Sequence, residues 1–473
     1  MAVQGAKYEE FKIRSADGER VVDLYDAQFR VNNIYYYESI LSPQITGIIT
    51  ITSTTGVTSG VDIQERSGSL HNSLPLEVGC EILLKIADEV GNGIDFSSKT
   101  NPHKRLYINE IQVIDKSSNS EIIQLRFTSR IGVTNVTRKV TRYFDGRISE
   151  SVKNILKNEL KLKDDMIQID ASTNSLSFAG MTKRPFDLIK MLAKQSIPTN
   201  VENPGYFYYQ TKSGFKYVSA DTLINYLPYP ISYHYGGPNI SGYESKDDSN
   251  NYKIASLIIN QDQNLISQIK AGVYATKTIT FNPANYNFTE LLASVESKNL
   301  CVNPKFSTLG TDIKFPKILK ETLDDGNKFH RIETAVLNVG SNIENSVPNN
   351  NPQHYMAKVS TRYNMLFSQK YAITIPCNTD LEAGNVLDIK VESISDGKEQ
   401  GVDQKQSGKY IIESLCHYFE SEKATTNINL IRDSYGLHSS DNDVQGQFMP
   451  SNPDFRGAGN NKTYDEGKGV WTI

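Results

Sequence analysis

The sequence has no long apolar run, only four cysteines and a single tryptophan among its 473 residues. A membrane-spanning helix needs about 20 consecutive apolar residues, so we expect no membrane anchoring. Residues 1–5 lack the apolar segment of a signal peptide, which predicts synthesis in a reducing cytoplasm. The cysteines are widely spaced, with no Cys-x-x-Cys pair, so neither a disulfide framework nor a zinc site is expected. They are Cys80, Cys301, Cys377 and Cys416.

Patterns of catalytic residues are also missing. The seven histidines form no His-x-His or His-Glu-x-x-His spacing, and there is no Gly-x-Ser-x-Gly elbow or phosphate-binding glycine-rich loop. Paired aspartates such as Asp164 and Asp165 lie in polar stretches, where little would shift their pKa values toward catalysis. His417 lies in a predicted strand, where a hydrogen-bonded structural histidine is expected. The sequence therefore predicts no enzyme activity, no catalytic or metal-binding residues and no cofactor.

The net charge of −4 gives no argument for a nucleic-acid-binding surface. Two short basic clusters, residues 103–105 and 183–184, are interpreted as surface charge. Tyrosine, in contrast, is abundant, with 26 residues. Its ring can be buried while its hydroxyl reaches a partner, which suits half-buried sheet faces and wet interfaces. The composition favours a β-rich chain with extensive interfaces.

Residues 371–435 alternate apolar and polar side chains between turn residues, a pattern typical of an antiparallel meander. A weaker copy of this pattern lies about three hundred residues earlier. Leu76 and Gly79 match Leu381 and Gly384, and each pair precedes an apolar strand and a long polar loop. Further along, residues 106–111 match 409–414, and residues 122–126 match 427–431. In this alignment Tyr107 and Glu110 correspond to Tyr410 and Glu413. The repeated order of four features predicts an internal duplication.

Residues 27–53 predict an extended hairpin with a turn at Ser42 and Pro43. A hairpin this long cannot bury itself, and its free edges invite pairing with a neighbouring chain. It therefore supplies the candidates for strand pairing between subunits. These candidates are Ile34, Tyr36, Ile45, Ile49 and Ile51.

The middle of the chain changes character near residue 136. Apolar residues at helical spacing predict one helix over residues 148–160 and a second that begins at Pro185. Residues 205–218 predict a hairpin, and residues 264–271 a short helix ended by Gly272. From residue 354 the pattern is interpreted as strands again. The predicted organisation is β-rich over residues 1–135, inserted α+β over 136–300, an irregular insertion over 301–353, and β-rich over 354–436.

Residues 437–473 are rich in Gly, Asn, Ser and Asp and show no periodicity, so they predict an extended or disordered arm. The arm holds a few apolar points separated by polar spacers, which suits binding to a partner by coupled folding. A frayed tail, or one that packs on its own chain, is the alternative. The candidate partner-binding residues are Phe448, Phe455, Trp471 and Ile473.

Several of these segments, taken in order, resemble the baseplate central hub proteins of T4-like contractile-tailed phages. Residues 407–412 and 430–436 resemble the second barrel of that family, and residues 34–43 resemble the tube-forming hairpin of its first barrel. Residues 206–217 and 266–274 resemble the domain inserted between them. The resemblance implies a mainly β fold with α+β insertions, in which two tandem antiparallel β-barrels are related by duplication and carry an inserted α+β domain.

The resemblance also implies a location and partners. It implies a homotrimeric ring in the tail baseplate of the virion, made in the host cytoplasm, that adapts a six-fold tail tube to a three-fold spike. The implied partners are a tail spike or tail lysozyme protein, a tail tube or tube-initiator protein, and inner baseplate wedge proteins. DNA would pass through the lumen without specific binding, because an acidic or neutral chain does not bind phosphates tightly. The arm would then dock on the spike or on a neighbouring hub subunit.

Two other functions fit the sequence less well. A hub of a related contractile injection system would have the same fold in a different genome context. A secreted glycan-binding or glycan-cleaving β-protein would need a signal peptide and more tryptophan for stacking on sugars. Neighbouring sheath, tube and spike genes would favour a hub of a phage tail or of an injection system. Neighbouring polysaccharide or transport genes would favour the glycan-binding protein.

Overall fold

The computed structural model is mainly antiparallel β-sheet with interspersed helices. It describes residues 7–25, 29–54, 70, 74, 76–87, 91–199, 203–236, 252–261, 263–283, 286–294, 308–311, 316–322, 331–337, 351–352, 355–393, 402–436, 463–465 and 470–472. Within these residues, one 14-stranded sheet contains both β-rich ends of the chain.

The first half of this sheet comes from the N-terminal region. Its strands are β1 (Lys7–Arg14), β2 (Val21–Asp23), β3 (Phe29–Ser39), β4 (Thr46–Thr54), β5 (Glu81–Ala87), β6 (Ile94–Phe96), β7 (Leu106–Lys116) and β8 (Ser120–Ser129). They pair in the order β3-β4-β8-β7-β5-β1-β2, with β6 on β5. Their inward side chains form one core that includes Phe11, Ile49 and Leu125, since alternate residues of a strand face opposite sides.

Between the halves, small helices surround short strands. The elements are α1 (Arg130–Thr137), β9 (Tyr143–Phe144), α2 (Ile148–Asn158), β10 (Ile167–Ile169), β11 (Phe178–Ala179), α3 (Pro185–Ala193), β12 (Tyr206–Thr211), β13 (Gly214–Ser219) and α4 (Ala220–Ile224), with 3-10 turns at Pro102–Lys104 and Asp164–Met166. These residues have their own apolar core. The helices predicted near residues 148 and 185 and the hairpin predicted over 205–218 are confirmed.

The second half of the sheet comes mainly from the C-terminal region. Its strands are β14 (Tyr233–Tyr235), β15 (Ser256–Gln261), β19 (Gln369–Pro376), β20 (Val386–Val391), β21 (Gly408–Glu420) and β22 (Ala424–Arg432). They pair in the order β15-β19-β22-β21-β20-β14. Strands β14 and β15 lie in the stretch that sequence analysis gave to the inserted domain, yet both pair with the second half.

A smaller unit packs beside the second half. It consists of α5 (Leu265–Ala271), β16 (Ala275–Asn282), β17 (Asn287–Ser294), α6 (Lys317–Thr322), β18 (Arg331–Val336) and α7 (Met356–Leu366). Helix α5 ends at Gly272, as predicted, and Gly272 adopts the left-handed conformation. The prediction of strands from residue 354 was wrong at its start, because residues 356–366 form α7, whose buried residues include Val359, Met365 and Leu366. At the C-terminus, β23 (Thr463–Asp465) pairs with β24 (Val470–Thr472).

The two halves of the large sheet have the same order of strands. If the six main strands of each half are numbered one to six along the chain, their order across the sheet is 2-3-6-5-4-1 in both halves. The first half takes β1, β3, β4, β5, β7 and β8, and the second takes β14, β15, β19, β20, β21 and β22. They differ at one end, where β1 is antiparallel to β5 but β14 is parallel to β20.

A β-bulge occurs at the same place in both halves. In β7 the pairing with β8 skips Asn109, and in β21 the pairing with β22 skips Glu413. The hydrogen bonds next to the bulges also match: Gly79 N–H donates to the Ile108 carbonyl, as Gly384 N–H does to that of Ile412. Bulges are features that families retain.

These hydrogen bonds correct the alignment made from sequence. With Gly79 matched to Gly384, Ile82 lies opposite Leu106 where Leu387 lies opposite Tyr410. Tyr410 therefore corresponds to Leu106 rather than to Tyr107, and both are fully buried. The same shift matches Glu110 to Ser414 rather than to Glu413. A shift of one residue exchanges the faces of a strand, which is why the repeated tyrosine misled the sequence alignment.

Candidate functional site at the sheet edges

The two halves are joined by antiparallel pairing of β3 with β21, which we call the seam. It runs from Ser39 opposite Ser414 to Asn33 opposite Glu420. Aromatic rings meet across it on both faces. The rings of Tyr35 and Tyr418 have centroids 4.9 Å apart, and those of Tyr36 and His417 are 6.0 Å apart. Cross-strand aromatic pairs stabilise a sheet, so the seam is a complete strand interface within one chain.

A buried carboxyl group, Glu38, lies in the seam. Its oxygens accept hydrogen bonds from the Tyr36 hydroxyl at 2.7 Å, the Lys212 amide at 2.6 Å and the Ala383 amide at 3.2 Å. Burial, and then the nearby charge of Glu382, raises the pKa of Glu38 to about 7. Sequence analysis missed Glu38, although it has the same strand parity as Ile34 and Tyr36 and is therefore placed on the buried face.

Glu382 is the second buried carboxyl group at this junction. Its side chain forms an ion pair with Lys216, with 2.9 Å between Oε2 and Nζ, and accepts a hydrogen bond from the Ser213 hydroxyl. Burial acts to raise the pKa of Glu382, but the charges of Lys216 and Lys212 outweigh it and lower the pKa to about 2. Both carboxyl groups are buried away from solvent, so this cluster ties the inserted hairpin β12–β13 to both halves of the sheet.

His417 lies in the same region and is fully buried. Its Nδ1 atom is 2.9 Å from the Thr426 hydroxyl oxygen. Burial, and then the charge of Lys212, lowers the pKa of His417 to about 3. The imidazole is therefore neutral near pH 7, which agrees with the structural histidine expected from sequence.

The structure moves the predicted inter-subunit residues into the core of one chain. Both strands of the predicted hairpin have both edges occupied, since β3 pairs with β4 and β21, and β4 pairs with β3 and β8. Neither strand therefore has a free edge for pairing with another chain in this conformation. The five predicted residues have essentially no exposed surface: Ile34, Tyr36, Ile45, Ile49 and Ile51.

Strands β7 and β15 of the large sheet each have an edge that is unpaired among the described residues. Strand β7 contacts β5 only at Leu106 and Tyr107, so its outer part, residues 110–116, is hydrogen-bonded to β8 alone. Strand β15 ends the sheet and pairs with β19 alone. Each edge carries exposed aliphatic side chains, Val113 and Ile114 on β7 and Ile258 and Ile259 on β15. Exposed, apolar strand edges are sites of association with another chain.

A shallow groove of about 560 Å3 crosses the outer face of the sheet beside the seam. Most of its lining side chains are polar and uncharged, among them Thr374, Ser414, Asn427 and Asn429. Farther along the sheet, Arg126 and Glu110 on β8 and β7 form an exposed ion pair at 3.6 Å. This face therefore presents hydrogen-bonding groups with little net charge.

The arm is described only as backbone at two short segments. Tyr464 in β23 lies opposite Trp471 in β24, so this part forms a short antiparallel pair where an extended or disordered arm was predicted. The other candidate binding residues, Phe448, Phe455 and Ile473, lie outside the described residues.

Three further features concern metal binding, membrane-spanning helices and thiols. Among the residues that the structure describes, no group of His, Cys, Asp and Glu is placed to hold a metal ion. None of the helices in this part of the chain is long and apolar enough to cross a bilayer. Cys80, Cys377 and Cys416 form no disulfide; the first two thiols are buried, and that of Cys416 is partly exposed.

The chain was compared with known proteins. No protein-family model matches the sequence, and no curated protein matches it. Several solved structures are similar over most of the chain. The 43 kDa tail protein of prophage MuSo2 from Shewanella oneidensis shares 10% identity, with 90% of this chain and 99% of that chain covered and a TM-score of 0.49.

Two further structures are similar to a comparable degree. A tail protein from Neisseria meningitidis MC58 shares 11% identity, with 89% and 96% of the two chains covered and a TM-score of 0.47. An E. coli component of the type VI secretion system, described as similar to T4 bacteriophage tail proteins, shares 10% identity, with 91% and 80% covered and a TM-score of 0.40.

Proposed function

We propose that this protein is the structural hub of a contractile phage tail baseplate. Three copies would form a ring of six similar β units, related in pairs by duplication, that adapts a six-fold tail tube to a three-fold spike. The observation that carries the proposal is the repeated strand order with its repeated bulge, joined edge to edge at the seam. The hub-like sequence segments at residues 34–43, 407–412 and 430–436 support the same function.

A ring of this kind suits a channel. The face of the sheet that bears the groove would line this channel. It carries Thr374, Asn427 and Asn429, and farther along the ion pair of Arg126 with Glu110. DNA would pass such a surface without specific binding, because tight binding needs several lysine or arginine contacts to phosphates. The role is structural and not enzymatic, and it needs no cofactor.

The proposed partners follow from the two ends of the ring. A tail tube or tube-initiator protein would contact one end, and a tail spike or tail lysozyme protein the other, with inner baseplate wedge proteins around the outside. The arm of residues 437–473 would dock on the spike or on a neighbouring hub subunit, with Trp471 as its main aromatic anchor.

Electron microscopy of the purified protein, alone and with its spike partner, tests the proposal. The expected particle is a ring of six similar densities around a central channel, with the mass of three chains. A protein that stays monomeric at high concentration in the presence of the spike would contradict it. So would turnover of peptidoglycan or peptide substrates that is abolished by a single substitution in this chain.

The second candidate is the hub of a related contractile injection system. The same ring would form in both cases, so the particle alone does not separate them. The mass of the complete assembly and its content do: a phage tail carries a DNA-filled head, whereas an injection system ends in a capped tube without DNA.

A further inference from the structure

We infer that strand β7 of one chain pairs with strand β15 of a second copy, in antiparallel orientation and with Val113 opposite Ile259. This inference deepens the proposed function and rests on it, since it names the edges through which the copies join. It also replaces the predicted hairpin, whose edges are already used within the chain.

The seam provides the template for this pairing. Within one chain, β21 and β3 meet edge to edge. By their places in the repeated strand order, β21 corresponds to β7 and β3 corresponds to β15. The seam therefore joins the fifth main strand of the second half to the second main strand of the first half. The remaining two copies, β7 and β15, are the edges that have no such partner among the described residues.

The register on β7 follows from the bulge. Because Glu413 and Asn109 are the skipped residues, Ser414 corresponds to Glu110 and, three positions on, His417 corresponds to Val113. Val113 lies opposite Ile123 on β8, as His417 lies opposite Thr426 on β22, so the match continues through this position.

The register on β15 follows from its neighbour. Tyr371 lies opposite Leu430, which in turn lies opposite Ile412. Gly47 lies opposite Phe127, which in turn lies opposite Ile108. Because Ile412 corresponds to Ile108, Tyr371 and Gly47 occupy matching positions. Ile259 lies opposite Tyr371, and Tyr36 lies opposite Gly47, so Ile259 corresponds to Tyr36. In the seam, Tyr36 faces His417. The transferred pair is therefore Val113 with Ile259. Ile114 is skipped in the pairing with β8, so Ile258 falls beside the bulge that Ile114 and Asp115 form.

The exposed side chains agree with this register. Val113 and Ile114 are 45% and 53% exposed, and Ile258 and Ile259 are 57% and 43% exposed. The template brings these four aliphatic residues together. Isolated sheet edges are usually protected by charge, proline or short length, so apolar side chains on both edges indicate that another chain covers them.

The asymmetry of the contact determines the kind of assembly. The surface of β7 on one copy contacts the different surface of β15 on the next, so the interface is heterologous and repeats head to tail. Such contacts produce a ring when the rotation between copies closes. Since the contact would reproduce the internal seam, every junction around the ring would be similar, with alternate junctions within and between chains.

Disulfide cross-linking tests the register. Residues directly opposite in an antiparallel pair have Cα atoms about 4.5–5.5 Å apart, within the range of a disulfide. A chain carrying both Val113→Cys and Ile259→Cys should form covalent dimers and trimers under mild oxidation. Each single variant should stay monomeric on a non-reducing gel, because neither position faces itself across a heterologous contact.

The control for register is the chain with Ile111→Cys and Ile259→Cys, which moves one thiol two residues along β7 within its regular pairing with β8. It should cross-link at least tenfold less. Equal cross-linking of the two double variants would overturn the inferred register. Trimers in solution without cross-linking of Val113→Cys to Ile259→Cys would overturn the inferred edges and leave the proposed ring intact. Absence of any oligomer at high protein concentration with the spike present would contradict the proposed function itself.

A charge exchange gives a second test in the unmodified assembly. Ile258→Lys alone and Ile114→Lys alone should each weaken association at least tenfold, measured by mass photometry or sedimentation. Ile266→Lys is the matched control, since Ile266 lies on α5 and is 61% exposed. The combination of Ile114→Lys with Ile258→Glu should restore part of the association. Association unchanged by both lysine variants would overturn the inference.

Discussion

Lys216 and Glu382 form an ion pair across 2.9 Å although 166 residues separate them in the chain, and both side chains are almost fully buried. Lys216 belongs to β13 of the inserted hairpin, and Glu382 precedes β20. The pair thus connects the inserted region to the second half of the sheet. A buried charge that loses its partner remains desolvated without compensation, so the loss of one member costs far more than the pair contributes.

Lys216→Met should lower the free energy of unfolding by about 3–5 kcal/mol, because Glu382 would remain buried without its main counter-charge. Urea denaturation at pH 7 measures this change. The double variant Lys216→Met with Glu382→Met should recover much of the loss, since no buried charge is then left alone. Lys317→Met, which disrupts an exposed ion pair with Glu321, is the matched control and should change stability by less than about 1 kcal/mol. A Lys216→Met protein as stable as the wild type would contradict the expectation.

The raised pKa of Glu38 predicts a specific pH dependence. Because the folded pKa is about 7 and the ordinary value is 4.5, the folded chain binds more protons than the unfolded chain between these values. The free energy of unfolding contributed by Glu38 therefore falls as pH rises from about 4.5 to 7.

Glu38→Gln should remove this contribution. Relative to wild type, the variant should lose less stability between pH 5 and pH 8, with a difference on the order of 3 kcal/mol. Urea midpoints measured at both pH values provide the comparison. Glu110→Gln, at a half-exposed carboxyl group, is the control and should follow the wild type. The same pH dependence in Glu38→Gln and wild type would show that Glu38 titrates normally.

Arg362 on α7 is fully buried between two aspartates. It pairs with Asp221 on α4, and its Nη1 atom is 3.2 Å from Asp433, which follows β22. Arg362→Met should destabilise the chain by at least about 3–5 kcal/mol, because two buried carboxyl groups lose their cation. Thermal unfolding followed by circular dichroism measures the loss. Adding Asp221→Asn and Asp433→Asn should restore part of it, and no recovery in the triple variant would argue against an electrostatic cause.

Gly47 on β4 allows close packing beside the seam. A methyl group at this position would overlap the Phe127 ring and the Tyr35 carbonyl oxygen. Gly47→Ala should therefore cost about 1–3 kcal/mol through overpacking, as measured by urea denaturation. Phe127→Leu in the Gly47→Ala background should relieve part of the cost, since it removes the overlapping ring atoms. A neutral Gly47→Ala substitution would mean that β4 shifts freely, against the fixed register with β3.

Local patterns were sufficient to predict most elements. Alternation identified β19, β21 and β22, and Pro185 and Gly272 marked the start of α3 and the end of α5. Such signals act within a few residues, so they can be read from sequence. Helix α7 was missed because its apolar residues include β-branched Val359 and the aromatic Tyr363, which also suit strands.

The partner of each edge could not be read in this way. The pairing of β3 with β21 depends on side chains far apart in sequence, and no local pattern shows which of two free edges a distant strand will occupy. The hairpin of residues 27–53 therefore suggested an interface between subunits, when its edge is filled by the same chain. The buried clusters around Glu38 and Arg362 were missed for the same reason, since each draws its members from separate regions.

The seam also has a consequence for synthesis of the chain. Ser39 and Glu413, whose side chains meet at its end, are 374 residues apart. At a translation rate of about 5–20 residues per second, β3 waits roughly 20–75 s on the ribosome before β21 emerges. During that time its outer edge can pair with strands of other nascent chains on the same messenger. Slowing elongation within residues 130–400 should therefore increase the aggregated fraction of newly made copies.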